Sequence, residues 1–162
     1  MYERLLVAVD GSPAAEQVLA HAEALAKAFG STITLLRATI SAEMPVTETA
    51  GGEASVIGEL APPAMDPTPI LNADRDAATD YLEQIAARLR SSGLKVDAEH
   101  PEGPANHVIV DRAAALGVSL ILMTTHGRGG LGRMVFGSVA DSVLRHAPCP
   151  VLLVRITDTD AP

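Results

Sequence analysis

Five glycines and two arginines lie close together in residues 123–138, where they could bind a phosphate group. Glycine has no Cβ, so backbone N–H groups can converge and an anion can approach the backbone closely. The pattern predicts a buried strand before this stretch and a helix from Ser138, whose positive end points to the same place. Arg128 and Arg133 add positive charge, and residues 123–139 contain no acidic residue. The stretch therefore predicts an anion site in a chain whose net charge is −8.

Two well-known phosphate-binding patterns fit this stretch in spacing but not in context. Residues 127–132 match G-x-G-x-x-G, which in a dinucleotide-binding fold follows the first strand of the sheet. Here the pattern precedes the last predicted helix, and only one strand remains after it. The same residues have the glycine spacing of a Walker A loop, but Arg133 and Met134 stand where that loop needs Lys and Ser or Thr. We therefore reject both patterns.

The elements that must position this stretch alternate between strands and helices. Short apolar runs predict strands at 5–9, 33–36, 95–99, 120–123 and 151–154. Apolar residues at helical spacing predict helices at 13–29, 74–89, 106–116 and 138–146. Strands that alternate with helices form a parallel sheet with helices on both faces. The sequence therefore predicts a single α/β domain over residues 1–162.

Residues 41–73 interrupt this alternation. They contain five prolines and three glycines, and all of their charged residues are acidic. A segment of this length and composition in a compact domain is usually either functional or disordered. It leaves the carboxyl end of the second predicted strand, which is the edge where open α/β sheets bind ligands. We expect a flexible insert, and a lid over the site is the alternative.

Composition argues against several other classes of protein. The acidic net charge and the shortage of aromatic residues disfavour a nucleic-acid surface, which needs basic and stacking groups. Cys149 is the sole cysteine, so no internal disulfide can form and a cytoplasmic location is expected. The apolar run at 5–9 is too short for a signal peptide core or a membrane span. The histidines lack metal-ligand spacing with Cys149, so no zinc site is expected.

A third spacing fits both the residues and their context. Gly127, nine further residues and then Gly137-Ser138 resemble the nucleotide-binding signature of the universal stress protein family, G-x-x-G-x9-G-[S/T]. The sequences T-H-G-R at 125–128 and V-L-R-H-A-P-C-P-V at 143–151 are also similar to that family. The opening L-L-V-A-V-D-G-S at 5–12 is similar to the family's first strand and turn. The resemblance covers the whole chain except residues 41–73.

The resemblance implies a fold of the adenine nucleotide alpha hydrolase type. This is an open five-stranded parallel sheet of order 3-2-1-4-5, with the nucleotide across the carboxyl ends of strands one and four. The ligand is ATP, or ADP or AMP. The residues that the resemblance implies for its binding, from adenine through ribose to phosphate, are Val9, Ala38, Asp10, Met123, Thr124, Gly127, Arg128, Gly137, Ser138, Val139 and Ala140.

Two of these residues have alternative interpretations. Thr124 stands where the signature has its first glycine, and its side chain could crowd the ribose or hydrogen-bond it. Asp10 ends the first strand, so its ordinary role is to cap the next helix together with Ser12. The resemblance gives Asp10 a second role near the adenosine or near a Mg²⁺ bound to the phosphates.

The resemblance also implies a function in the stress response, as an ATP-binding homodimer that acts as a sensor or switch. The last strand, 151–154, is apolar on both faces and lies at a sheet edge, and such strands pair across a dimer in this family. One alternative is a dimeric interaction module that binds no nucleotide, which Thr124 keeps open. The other is a slow ATPase. Dedicated phosphoryl transfer needs a positioned base and usually a Walker or kinase lysine, and the sequence shows neither.

Overall fold

The computed structural model of the chain describes residues 1–40, 67–125 and 137–156. The elements in these residues are β1 (Arg4–Ala8), α1 (Gln17–Phe29), β2 (Thr32–Leu36), α2 (Thr68–Ser91), β3 (Lys95–Glu99), α3 (Ala105–Ala115), β4 (Leu120–Thr125), α4 (Ser138–His146) and β5 (Val151–Arg155). All neighbouring strands are parallel, in the order β3-β2-β1-β4-β5. The predicted open sheet is confirmed.

Each face of the sheet carries its own apolar core, because successive side chains of a strand point to opposite faces. Leu5 and Val7 of β1 belong to the core under α1 and α2, whereas Leu6 and Ala8 belong to the core under α3 and α4. The central strand is therefore buried on both sides, as its unbroken apolar run predicted. None of the helices in the described ranges has the length and apolarity that a membrane crossing requires.

The start of α1 differs from the prediction because a tighter turn precedes it. Residues 13–16 form i→i+3 hydrogen bonds, such as Glu16 N to Pro13 O at 3.2 Å, and the α-helix begins only at Gln17. The Ser12 hydroxyl accepts a hydrogen bond from Ala15 N at 3.1 Å. Ser12 therefore caps this first turn, as expected, although the α-helix begins later than residue 13.

The prediction that an insert extends to residue 73 is wrong at its end, because α2 begins at Thr68. Proline disfavours a helix interior but is tolerated in the first turn, where its missing N–H needs no partner. Pro67 and Pro69 lie at that start, so they mark the helix rather than a loop. Residues 41–66 lie outside the described residues, and a flexible insert there stays a prediction.

Asp74, near the start of α2, ties this helix to the end of β2. One carboxylate oxygen accepts a hydrogen bond from Arg37 Nη2 at 2.9 Å, and the other accepts one from Ile40 N at 2.8 Å. Both charged side chains are only 17% exposed. The contact fixes α2 against the carboxyl edge of the sheet, the edge at which the β1–α1 turn also lies.

Candidate functional site

A cleft of about 290 Å³ opens at the carboxyl ends of β1 and β4. β2 lies on one side of β1 and β4 lies on the other, so the connections after β1 and β4 run in opposite directions from this point of the sheet. Open parallel sheets bind their ligands at such a reversal, because the connections diverge and leave a crevice. The described residues that line the cleft are Ala8, Val9, Asp10, Ala15, Ala105, Ile109, Met123, Thr124, Thr125, Gly137, Ser138, Val139 and Ala140.

One wall of the cleft is apolar. Met123 and Ile109 are 6% and 3% exposed, and they belong to the core between the sheet and α3 and α4. Three alanines, Ala8, Ala105 and Ala140, line the same cleft. Alanine fills less space than the larger aliphatic residues of the core, so these positions leave a hollow at the sheet edge. The wall can accept a flat apolar group such as a nucleobase.

The turn after β1 places a carboxylate at the rim. Gly11 has φ of +89°, a conformation that a side chain would strain, so glycine is needed to make this turn. Asp10 is exposed, and its Oδ1 accepts a hydrogen bond from Ser12 N at 2.9 Å. Asp10 therefore stabilises the turn between β1 and α1 through this hydrogen bond. Its second oxygen has no hydrogen-bond partner among the described residues and is free to accept one from a ligand.

The first turn of α4 closes the other end of the cleft. Asp141 N donates to Gly137 O at 3.0 Å, so the amides before it, those of residues 138–140, have no partner within the helix. No side chain caps this end of the helix. The free amides and the helix dipole together favour an anion. The contact of Ser138, Val139 and Ala140 with a phosphate stays a prediction, and these three residues lie in the wall of the cleft.

Gly137 is not required by the backbone. Its φ is −44° and its ψ is 156°, which other residues adopt readily. A Cβ at this position would meet no atom of the described residues within 4 Å. Gly137 lies in the wall of the cleft, so within the described part of the chain its backbone is open to a ligand.

Two threonines end β4 at the cleft. Thr124 is partly exposed, and Thr125 is 8% exposed. Neither hydroxyl has a hydrogen-bond partner among the residues that the structure describes. Thr124 stands at the signature's first glycine, so the departure from the signature lies within the site itself.

The structure brings together most of the predicted ligand residues, with one exception. Val9, Asp10, Met123, Thr124 and residues 137–140 all line the cleft. Ala38 does not line it; the residue is partly buried against the core under α3 and α4. The next residue of the chain runs beside the segment after β3, because Thr39 N donates a hydrogen bond to Pro101 O at 3.0 Å. Gly127 and Arg128 lie outside the described residues.

The sequence prediction missed five residues of the cleft, which are Ala8, Ala15, Ala105, Ile109 and Thr125. Two signals could have found some of them. Thr125 is two residues after Met123 and therefore lies on the same face of β4. A right-handed crossover from β3 to β4 places the start of α3 over that face, which brings Ala105 and Ile109 to the site.

Catalytic groups are sparse in the cleft. Among its described lining residues, only Asp10 has an acidic or basic side chain. No three His, Cys, Asp or Glu side chains of the described residues come together to hold a metal ion. Cys149 is not a lining residue, and burial raises the pKa of its thiol, so it stays protonated at neutral pH. The predicted Mg²⁺ contact therefore rests on Asp10 alone.

Comparison with known proteins places this geometry in a family. The model of the universal stress protein family matches residues 1–155. Universal stress protein YxiE of Bacillus subtilis is 30% identical over 155 residues, which cover 96% of this chain and 100% of YxiE. The match to the family model spans the whole sheet and all the described residues of the cleft.

Solved structures share the fold. MJ0577, a universal stress protein of Methanocaldococcus jannaschii, superposes with a TM-score of 0.75 at 26% identity, over 98% of this chain and 99% of that one. A universal stress protein family protein of Arabidopsis thaliana, solved with AMP bound, superposes with a TM-score of 0.65 at 15% identity, over 98% and 95%. At that identity the second likeness concerns the fold alone. The chain described here belongs to the universal stress protein family.

Proposed function

We propose that this universal stress protein binds an adenine nucleotide, ATP or its products ADP and AMP, in the cleft between β1 and β4. The observation that carries the proposal is the set of chemical groups that line one cleft. An apolar wall around Met123 suits a base, the Asp10 carboxylate suits sugar hydroxyls, and the amides of residues 138–140 suit phosphate. A nucleotide presents those three chemistries in one molecule. The AMP-bound Arabidopsis protein, which has the same fold, supports the proposal.

Nucleotide binding would make the protein a sensor or switch in the stress response rather than a dedicated catalyst. Hydrolysis of ATP requires a group that activates or orients water. The Asp10 carboxylate already accepts a hydrogen bond from Ser12 N, and no second titratable group faces it among the described lining residues. We expect any hydrolysis to be slow. An ATP turnover faster than about 1 s⁻¹, at the low end of ordinary enzymes, would contradict this.

The test is to identify and then measure the ligand. Purified protein is denatured, and the supernatant is analysed by mass spectrometry for released nucleotides. Calorimetry on nucleotide-free protein then compares ATP, ADP and AMP with GTP. We expect an adenine nucleotide in the supernatant and micromolar affinity for ATP. Protein that releases no nucleotide and binds none of the four would favour the interaction module that binds no nucleotide.

We also propose that the protein forms a homodimer through residues 151–154. β5 lies at the edge of the sheet, so one side of its backbone has no strand partner in the described chain. Its four apolar residues are each only partly buried. Antiparallel pairing with a second copy would satisfy that backbone edge and cover the apolar side chains.

A further inference from the structure

Arg37, the residue after β2, carries its charged side chain over the face of the sheet that α1 and α2 cover. Leu36 belongs to the core under α3 and α4, so the pleat turns the side chain of Arg37 to the opposite face. Arg37 N donates a hydrogen bond to Glu99 O at 3.1 Å, which keeps the backbone here beside β3. The Arg37 side chain is only 17% exposed, so neighbouring residues rather than solvent determine its position.

The guanidinium of Arg37 lies between α2 and the turn at residues 10–12, which connects β1 to α1. Its Nη2 donates a hydrogen bond to Asp74 Oδ1 at 2.9 Å. A Cβ on Gly11 would lie 3.5 Å from both Cζ and Nη1 of Arg37 and 3.7 Å from Nε. Because these three atoms of one planar group are almost equally distant, the guanidinium presents its face to Gly11. Asp74 therefore holds a flat group in contact with the turn.

The turn has little other support on its outer side. Both Asp10 and Gly11 are exposed, and Gly11 has φ of +89°. The hydrogen bond from Ser12 N to Asp10 Oδ1 closes the turn from within. Glycine has more backbone freedom than any other residue, so a turn built on it needs contacts to keep one conformation. The face of the Arg37 guanidinium supplies such a contact from the side of the sheet.

The electrostatics of Tyr81 on α2 agree with this arrangement. Burial is the main cause that raises the pKa of its phenol to about 12, and the carboxylates of Glu16 and Asp10 raise it further, whereas Arg37 lowers it. A neighbouring charge shifts a pKa strongly only when it is close. The phenol therefore lies near both the turn and Arg37, which indicates that α2, the end of β2 and the turn meet in one place.

We propose that Arg37 is a positioning residue, which holds the turn at residues 10–12 in the conformation that presents the Asp10 carboxylate to the nucleotide. This inference rests on the proposed function and adds to it the group that positions Asp10. Arg37 is not among the described residues that line the cleft, so it acts through the turn and not by touching the ligand.

A double-mutant cycle between Arg37 and Asp10 tests this inference. Arg37→Met keeps an unbranched chain but removes the charge and the flat group, and Asp10→Ala removes the carboxylate that the turn presents. Calorimetry measures ATP affinity for each single variant and for the double variant. Loss of a hydrogen bond to a charged group predicts about tenfold weaker binding by Asp10→Ala. A residue that acts only through Asp10 can cost no more, so Arg37→Met should bind about three- to tenfold more weakly than wild type.

The double variant gives the decisive result. Because the positioned carboxylate is absent from Asp10→Ala, adding Arg37→Met to it should change ATP affinity by less than about twofold. Arg37→Lys is a second variant that retains a charge beside Asp74 and is expected to fold. Lysine has no planar group to lie against Gly11, so Arg37→Lys should still bind ATP at least about threefold more weakly than wild type.

The matched control is Arg112→Met, which removes an arginine from another ion pair of the same sheet edge. Arg112 Nε and Nη2 each donate to Glu99 carboxylate oxygens at 2.7 Å, and Arg112 is not among the described lining residues. Arg112→Met should unfold at a lower urea concentration than wild type and bind ATP within about twofold of it. This pattern separates loss of an ion pair from loss of the positioned turn.

Several outcomes would overturn the inference. Wild-type ATP affinity in Arg37→Met and Arg37→Lys, or in Asp10→Ala, would show that this turn does not need positioning. Equal losses from Arg37→Met with and without Asp10 would show that Arg37 acts elsewhere, and an equal loss in Arg112→Met would show a general effect of lower stability. These results leave nucleotide binding standing, whereas wild-type protein that binds no adenine nucleotide would overturn both proposals.

Discussion

Replacement of Asp74 by alanine should cost much more stability than its place on a surface helix suggests. The carboxylate accepts hydrogen bonds from both Arg37 Nη2 and Ile40 N, and its side chain is only 17% exposed. Alanine leaves the largely buried guanidinium without its counter-ion, a loss that costs about 3–5 kcal/mol in a fully buried pair. Water reaches part of this site, and the orphaned Ile40 N–H adds to the cost, so we expect about 2–3 kcal/mol in the free energy of unfolding.

The matched control is Asp80→Ala on the same helix. Asp80 is exposed, and its side chain forms no hydrogen bond or ion pair with the described residues, so Asp80→Ala shares the gain in helix propensity but loses no partner. Urea unfolding should show a change within about 0.5 kcal/mol for Asp80→Ala. At about 2–4 °C per kcal/mol for a chain of this size, Asp74→Ala should melt about 4–12 °C lower. Equal stability of the two variants would refute the anchoring role of Asp74.

Two further predictions concern a buried phenol and the sheet edge. Burial, with the carboxylates of Glu16 and Asp10, raises the pKa of Tyr81 to about 12, and its hydroxyl is buried without a partner in the described ranges. The unfolded chain loses this proton at lower pH than the folded protein does, so the free energy of unfolding should fall between about pH 10 and 12 in wild type. Urea unfolding should show a smaller fall in Tyr81→Phe. Equal falls in the two proteins would contradict this prediction. Arg155 is exposed, and Ile156 N donates to Thr125 O of β4. Because N–H groups alternate in direction along a strand, the N–H of Arg155 points away from β4, towards the free edge of the sheet. Arg155→Pro should dissociate the proposed dimer in light scattering, whereas Arg155→Ala should not. A dimeric Arg155→Pro would argue against edge pairing.

The sheet could be predicted from the sequence because each strand carries its own burial pattern. β1 and β4 are continuous apolar runs, as strands buried on both faces must be. The run at 95–99 is less apolar, because β3 lies at the edge of the sheet and Val96 is its one buried residue. The predicted bounds of β3 and α4 are those of the structure.

The errors have equally local causes. Prolines near residue 67 suggested a continuing loop, whereas in the first turn of α2 they are compatible with the helix. The resemblance implied Ala38 at the ligand, but Ala38 is not among the described lining residues, because the chain after β2 runs beside the segment that follows β3.

The cleft itself could be predicted only in part. The signature spacing predicted the start of α4, because Gly137 and Ser138 are part of a pattern that is continuous in sequence. Ile109 and Thr125 line the same cleft only because α3 crosses over the sheet, and no local pattern in the sequence shows this. Residues that a site takes from several elements depend on packing, which sequence periodicity does not report.

The most direct test of nucleotide binding in this cleft is a calorimetric titration of Gly137→Val with ATP beside wild type. The backbone of Gly137 tolerates a side chain, and a Cβ there meets no atom of the described residues within 4 Å, so the free energy of unfolding should change by no more than about 1 kcal/mol. The branched side chain would instead occupy space beside the free amides of α4. We expect micromolar binding by wild type and at least a hundredfold loss in the folded variant. Equal affinity of the two proteins would place the nucleotide elsewhere and contradict the proposed site.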